Sequence, residues 1–255
     1  MILRRVAGTF ALLIAVAATA AAARADQAYA VEGRDTFRAG SGDVRSETAY
    51  HGVQRLTISR KGKTTTYNAR VEYDRDSDGG RQHETASFTS TLLPSGQQKD
   101  GPSSDPDYLT VLNQPFAVQL DAPTMRDLAR VTRAVPFDFP SPMTGATLHG
   151  TLRRLPDAMV GVTRAMGIAF EARGPLHGAL PDRPDMQLAG SITMKGTAYY
   201  AYGSALLLAL DATLAIDGNI DDSARRSPVS IVYARSIHAA EGKEAARIVP
   251  VPRRT

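Results

Sequence analysis

From about residue 27 to residue 238 the chain repeatedly places an apolar side chain at every second position. A segment with that period has one buried face only when it is a β-strand, because successive side chains of a strand point to opposite sides. The clearest stretch sets Leu206, Leu208, Leu210, Ala212, Leu214 and Ile216 on one face, with Asp211, Thr213 and Asp217 on the other, and Gly218-Asn219 follows. Tyr67, Ala69, Val71 and Tyr73 alternate with Asn68, Arg70 and Glu72, and Ala86, Phe88 and Leu92 sit among Thr and Ser. Polar residues on the second face call for antiparallel strands with one side wetted.

The pattern predicts strands near 27–38, 47–59, 63–74, 81–93, 107–112, 146–154, 160–173, 187–202, 204–217 and 228–238. Turns at Lys61-Gly62, Asp78-Gly79-Gly80 and Gly203-Ser204 join them as hairpins. The fold class expected is mainly β: an antiparallel meander forming a curved sheet or partly open β-barrel, with one amphipathic helix over about 122–133 packed against it. That helix has Asp121 as its N-cap, Pro123 in its first turn, and Met125, Leu128, Ala129 and Thr132 on one face. Three prolines in Val135–Pro142 exclude a central strand, so an extended loop is expected there. Residues 94–106 are polar and aperiodic, a surface loop or a sub-boundary within one domain spanning 26–238, and 239–255 read as a flexible, solvated tail.

Residues 1–25 have the make-up of an export signal. Arg4-Arg5 precede the apolar run Val6–Ala23, and Ala23-Arg24-Ala25 offers small residues for cleavage before Asp26, with a cut after Ala23 as the alternative. With the leader go Arg4, Arg5 and Arg24 and no acid, so the formal charge of +4 falls to +1. A nearly neutral chain has no electrostatic case for nucleic acid. Absence of cysteine excludes both disulfides and a lipid-modified cysteine. The expectation is a periplasmic or secreted, soluble protein that is not a lipoprotein and has no stable membrane span once the signal is removed.

Chemical motifs are sparse. Asp74, Asp76 and Asp78 before Gly79 have the D-x-D-x-D-G spacing of a calcium loop, yet Thr85 stands where the bidentate glutamate belongs, with Glu84 one residue early. A hairpin turn uses the same residues on backbone grounds, and no other cofactor is suggested. His51, His83, His149, His177 and His238 show no zinc-ligand spacing, and neither G-x-S-x-G nor S-x-x-K occurs, so no enzyme is indicated. Met194, Tyr200 and Tyr202, with Phe137 and Phe139 of the proline-rich stretch, are the candidate lining of an apolar cavity, although a filled core would use them equally well. The function expected is a non-catalytic carrier or binding protein for an apolar, lipid-like or amphipathic ligand. The alternative is an envelope module with a solid core that meets another envelope protein.

Overall fold

A computed structural model describes residues 24–40, 44–61, 64–92, 122–140, 147–180, 183–202, 206–221, 226–241 and 244–251. The expected leader core, the loop at 94–106, the strand at 107–112 and the N-cap Asp121 lie outside the described residues. Of those described, 85% are in strands, all antiparallel.

Among the described residues thirteen strands form a single sheet. β1 (Arg24–Ala39), β2 (Val44–Lys61), β3 (Thr64–Ser77) and β4 (Gly80–Leu92) are consecutive hairpins. A second meander runs through β8 (Thr163–Leu180), β9 (Arg183–Ala201), β10 (Leu207–Asp221) and β11 (Arg226–Glu241). The two are joined where β1 pairs with β11, from Tyr29↔Ala239 to Ala39↔Val229. Outside β8 lie β6 (Thr147–Arg154) and β7 (Ala158–Val160), edged in turn by β5 (Val135–Pro140) and β13 (Ile248–Pro250). The sheet does not close into a barrel: among the described residues β4 pairs only with β3.

The alternation places the core. In β3 the pattern of burial is strictly alternate from Tyr67 to Tyr73, and in β10 Leu210, Ala212, Leu214 and Ile216 are buried in alternation. Ahead of them a register shift between Leu207 and Ala209 puts Leu207 in the main core and Leu208 in the minor cluster on the opposite side, not on the face of Leu210 as the alternation predicts. The inward residues of all the long strands form one cluster, which requires the sheet to curl. In a flat sheet Tyr67 of β3 and Tyr200 of β9 would be five strand spacings apart, roughly 24 Å. Instead the buried hydroxyls of Tyr29, Tyr67 and Tyr200 are close enough to interact. Burial raises the pKa of Tyr29 and Tyr200, and the Tyr67 hydroxyl raises both further. Tyr29 also donates to the Leu207 carbonyl at 2.7 Å across the fold. Replacing Tyr29 by Phe should therefore cost about 1 kcal/mol, read from urea unfolding. An unchanged midpoint would place that hydroxyl in water.

Three further expectations are corrected. The helix α1 is shorter than 122–133, covering Ala122–Leu128. Beyond it, Arg130 and Val131 donate to the carbonyls three residues back, a tightening that ends a helix, and the β-branched pair Val131-Thr132 resists continuation. Over Val135–Pro140 the proline-rich stretch is the strand β5, paired among the described residues with β6 alone, so Pro136 and Pro140 sit on an edge that needs no second ladder. Where it is described, over 239–241 and 244–251, the stretch read as a flexible tail is paired into strands. There β11 continues to Glu241, β12 (Glu244–Ala245) pairs with it, and β13 pairs with β7. Ala246 is buried on the outer side with Ala165, Ala201 and Ala209, and Ile248 packs against them. Small apolar residues on that side make a second, minor core.

Candidate functional site

Six strands cross the middle of the sheet at one level, and their outward side chains bound a shallow trough of about 830 Å³. Its floor is backbone, and its walls carry Glu32, Arg34, His51, Glu171, Lys195 and Asp211. Polar partners face one another there: Glu32 lies 3.8 Å from His51, and Glu171 is the register partner of the oppositely charged Lys195. At one wall Asp211, Ser236 and His238 meet. The Ser236 hydroxyl donates to Asp211 at 2.7 Å and lies 3.3 Å from His238 Nε2, which is itself 3.1 Å from Asp211 Oδ1.

These are the residue types of a catalytic triad without its connectivity. A triad needs the acid on one ring nitrogen and the serine on the other, whereas here both address Nε2 and the serine proton points at the carboxylate. Burial pushes the Asp211 carboxyl up, but hydrogen bonds from His238 and Ser236 outweigh it and hold the group below the usual carboxylate range. Because Asp211 and Ser236 are register partners, the cluster acts as a cross-strand polar pair that fixes β10 against β11.

A smaller pocket of about 200 Å³ lies between α1 and the β5–β6 hairpin. Leu128, Val131, Val135, Phe137 and Leu152 line it, with Thr124 and Asp127 at the helix. The wall is held by an ion cluster. Arg154 of β6 donates to the Ala129 carbonyl just past α1 and to Asp157 at 3.1 Å. Asp157, only 10% exposed, also accepts from Tyr202 at 2.7 Å and Arg164 at 2.7 Å. Burial alone would raise this carboxyl. The hydrogen bonds from Tyr202, Arg164 and Arg154 prevail and lower it.

A carboxyl depressed in the fold contributes stability above its unfolded pKa, about 3.9, and that contribution is lost as pH falls through the folded value. The Asp157→Asn variant should accordingly be less stable at neutral pH and lose less on acidification. Parallel pH profiles of the two proteins in thermal melts would contradict this.

The candidate cavity residues separate into three groups. Met194, Tyr200 and Phe139 are fully buried in the main core, leaving no water-sized space at their surfaces. Phe137 lines the pocket under α1, its ring 4.8 Å from that of Phe139. Tyr202 is 44% exposed and bound to Asp157. In the calcium candidate, Asp74 is engaged by Arg81 at 2.6 Å and His83 at 3.0 Å, and hydrogen bonds from both lower its pKa. Asp76 and Asp78 are exposed, and among the described residues no three His, Asp or Glu side chains are placed to share a metal ion.

Residues without a sequence motif make the most unusual feature. Arg235 of β11 and Asp35 of β1 point into the core, the arginine side chain 0% and the aspartate 14% exposed. Around them stand Tyr50, which Arg235 and Arg75 both approach face-on at 5.1 and 5.6 Å, and Tyr233. Burial, with the Asp35 charge, pushes Tyr233 up to about 12. One signal was available: both charges fall at inward positions of otherwise apolar alternations, Val229-Ile231-Tyr233-Arg235-Ile237 and Tyr29-Val31-Gly33-Asp35-Phe37. No helix among the described residues is long and apolar enough to cross a membrane. No family model matches the chain, and no curated protein is similar to it.

Proposed function

We propose that this is an exported, non-catalytic binding protein that carries an amphipathic ligand, with the ligand's apolar part under α1. The pocket beside Phe137 carries the reading, because its lining is apolar while Thr124 and Asp127 supply polar groups at the helix. An apolar cavity of about 150 Å³ accepts a benzene ring, so the open volume suits one end of a ligand. The Ser236–His238–Asp211 cluster lacks triad connectivity, which favours binding over catalysis.

Export through the leader to a periplasm would give cleavage near Ala25. A cut after Ala23 would keep all of β1, whose pairing begins at Arg24↔Ser59. Protein purified natively from the exporting cell should carry a lipid-like molecule by mass spectrometry and bind N-phenyl-1-naphthylamine. Absence of both would sink the carrier reading. In its place would stand a solid envelope module docking through its edges, which the full burial of Met194, Tyr200 and Phe139 favours.

A further inference from the structure

Val162, Tyr202 and Val249 are the exposed large apolar side chains among the described residues, and all three stand at one corner of the sheet. Val162 is the second residue of the two-residue turn from β7 to β8, after Gly161 with its φ of 56°. That place ordinarily takes Gly, Asn, Asp or Ser. A valine there eases no backbone constraint and, at 91% exposure, packs on almost nothing. Neither folding nor packing asks for it.

Backbone and ring contacts join the three. The Gly161 amide donates to the Arg247 carbonyl at 3.0 Å, which sets the turn beside β13. Across the ladder Val249 faces Met159 and Met159 faces Arg164, so these side chains share one side of the sheet. The Arg164 guanidinium lies 5.8 Å from the Tyr202 ring. Apolar side chains scattered singly are ordinary on a surface, whereas a connected set rimmed by charge marks a contact.

The rim is positive. Arg164 and Arg247 are exposed beside the valines, Arg154 bridges Asp157 and the Ala129 carbonyl, and the exposed Arg130 follows that carbonyl. Four arginines against the single carboxylate of Asp157 leave +3 at this corner, while the whole chain beyond Ala25 carries +1.

We propose that this corner docks the protein on an anionic lipid surface. Val162 and Val249 enter the boundary between headgroups and acyl chains, and the arginines lie among the phosphates. A protein partner would need acidic side chains placed one by one against this rim. An anionic headgroup layer supplies the counter-charge in any register. Through Arg154 the corner adjoins the pocket under α1, and it docks whether or not that pocket holds a ligand.

The test is flotation of the full mature chain with vesicles of phosphatidylcholine alone and of phosphatidylcholine mixed equally with phosphatidylglycerol. Binding is expected to the anionic vesicles only, and to weaken as salt is raised. Val162→Asp/Val249→Asp should bind about tenfold more weakly or worse. It should melt with the unaltered chain, since both side chains are exposed. Arg247→Ala should weaken binding about fivefold, the share of one arginine near such a surface. No binding to anionic vesicles overturns the proposal, and so does binding that the double valine variant keeps, which places the contact elsewhere. Equal binding to both kinds of vesicle overturns it as well, because the arginines then play no part. Self-association that the double variant loses, without vesicle binding, gives the corner to a second copy of the chain instead. N-phenyl-1-naphthylamine binding measured without vesicles reports on the carrier reading alone, so either can fail while the other stands.

Discussion

Asp35→Ala is expected to cost about 3–5 kcal/mol of folding stability, because it leaves the wholly buried Arg235 guanidinium without its counter-charge. The loss exceeds the worth of the pair itself. Two charges taken from water gain little net stability from each other, but one stranded alone is heavily penalised. The double variant Asp35→Leu/Arg235→Met should accordingly recover most of the loss, and measuring both by urea unfolding separates the stranded charge from the ordinary effect of truncation. A cost below about 1 kcal/mol for Asp35→Ala would mean that water reaches Arg235.

Phe139→Ala should be comparably severe, about 3–5 kcal/mol, the range for deleting a buried aromatic ring. The side chain is 0% exposed, and its ring lies 4.8 Å from Phe137 and 5.9 Å from Phe170. It stands on an edge strand, so the hole left behind adjoins the pocket under α1 and not the rigid centre of the sheet. Added benzene should restore part of the lost stability, since a dry apolar hole binds it and only the folded state offers the hole. A cost under about 1.5 kcal/mol, with no benzene effect, would show that β5 collapses into the space.

Strands were legible where many residues repeat one pattern. Every long strand from β1 to β11 follows an alternation visible in the sequence, because each pairs on both sides or buries one continuous face. Short elements were not: β12 and β13 have two and three residues, too few for a period to register. Their partners Ala165, Ala201 and Ala209 look like unremarkable small residues in an alanine-rich chain. The helix was visible, but its end was set by local backbone preference at Val131-Thr132 and not by the apolar stripe. Of the candidate residues, Phe137 lines the pocket under α1, whereas the alternation marks Met194 and Tyr200 by their face alone, and a face is shared by core and cavity. Arg235 carries no motif. It stands out only once the alternation of β11 is laid against that of β1.

The seam between β1 and β11 joins residues about 200 positions apart, as in Asp35 and Arg235. During synthesis the first four strands therefore emerge long before the strand that completes their sheet. Until β11 arrives, β1 has an unpaired edge and the inner face carrying Val31 has no opposite wall. Such non-local pairing makes for slow folding and a long exposure to association. A chain built this way can keep its fold unfinished until its last strands have left the ribosome.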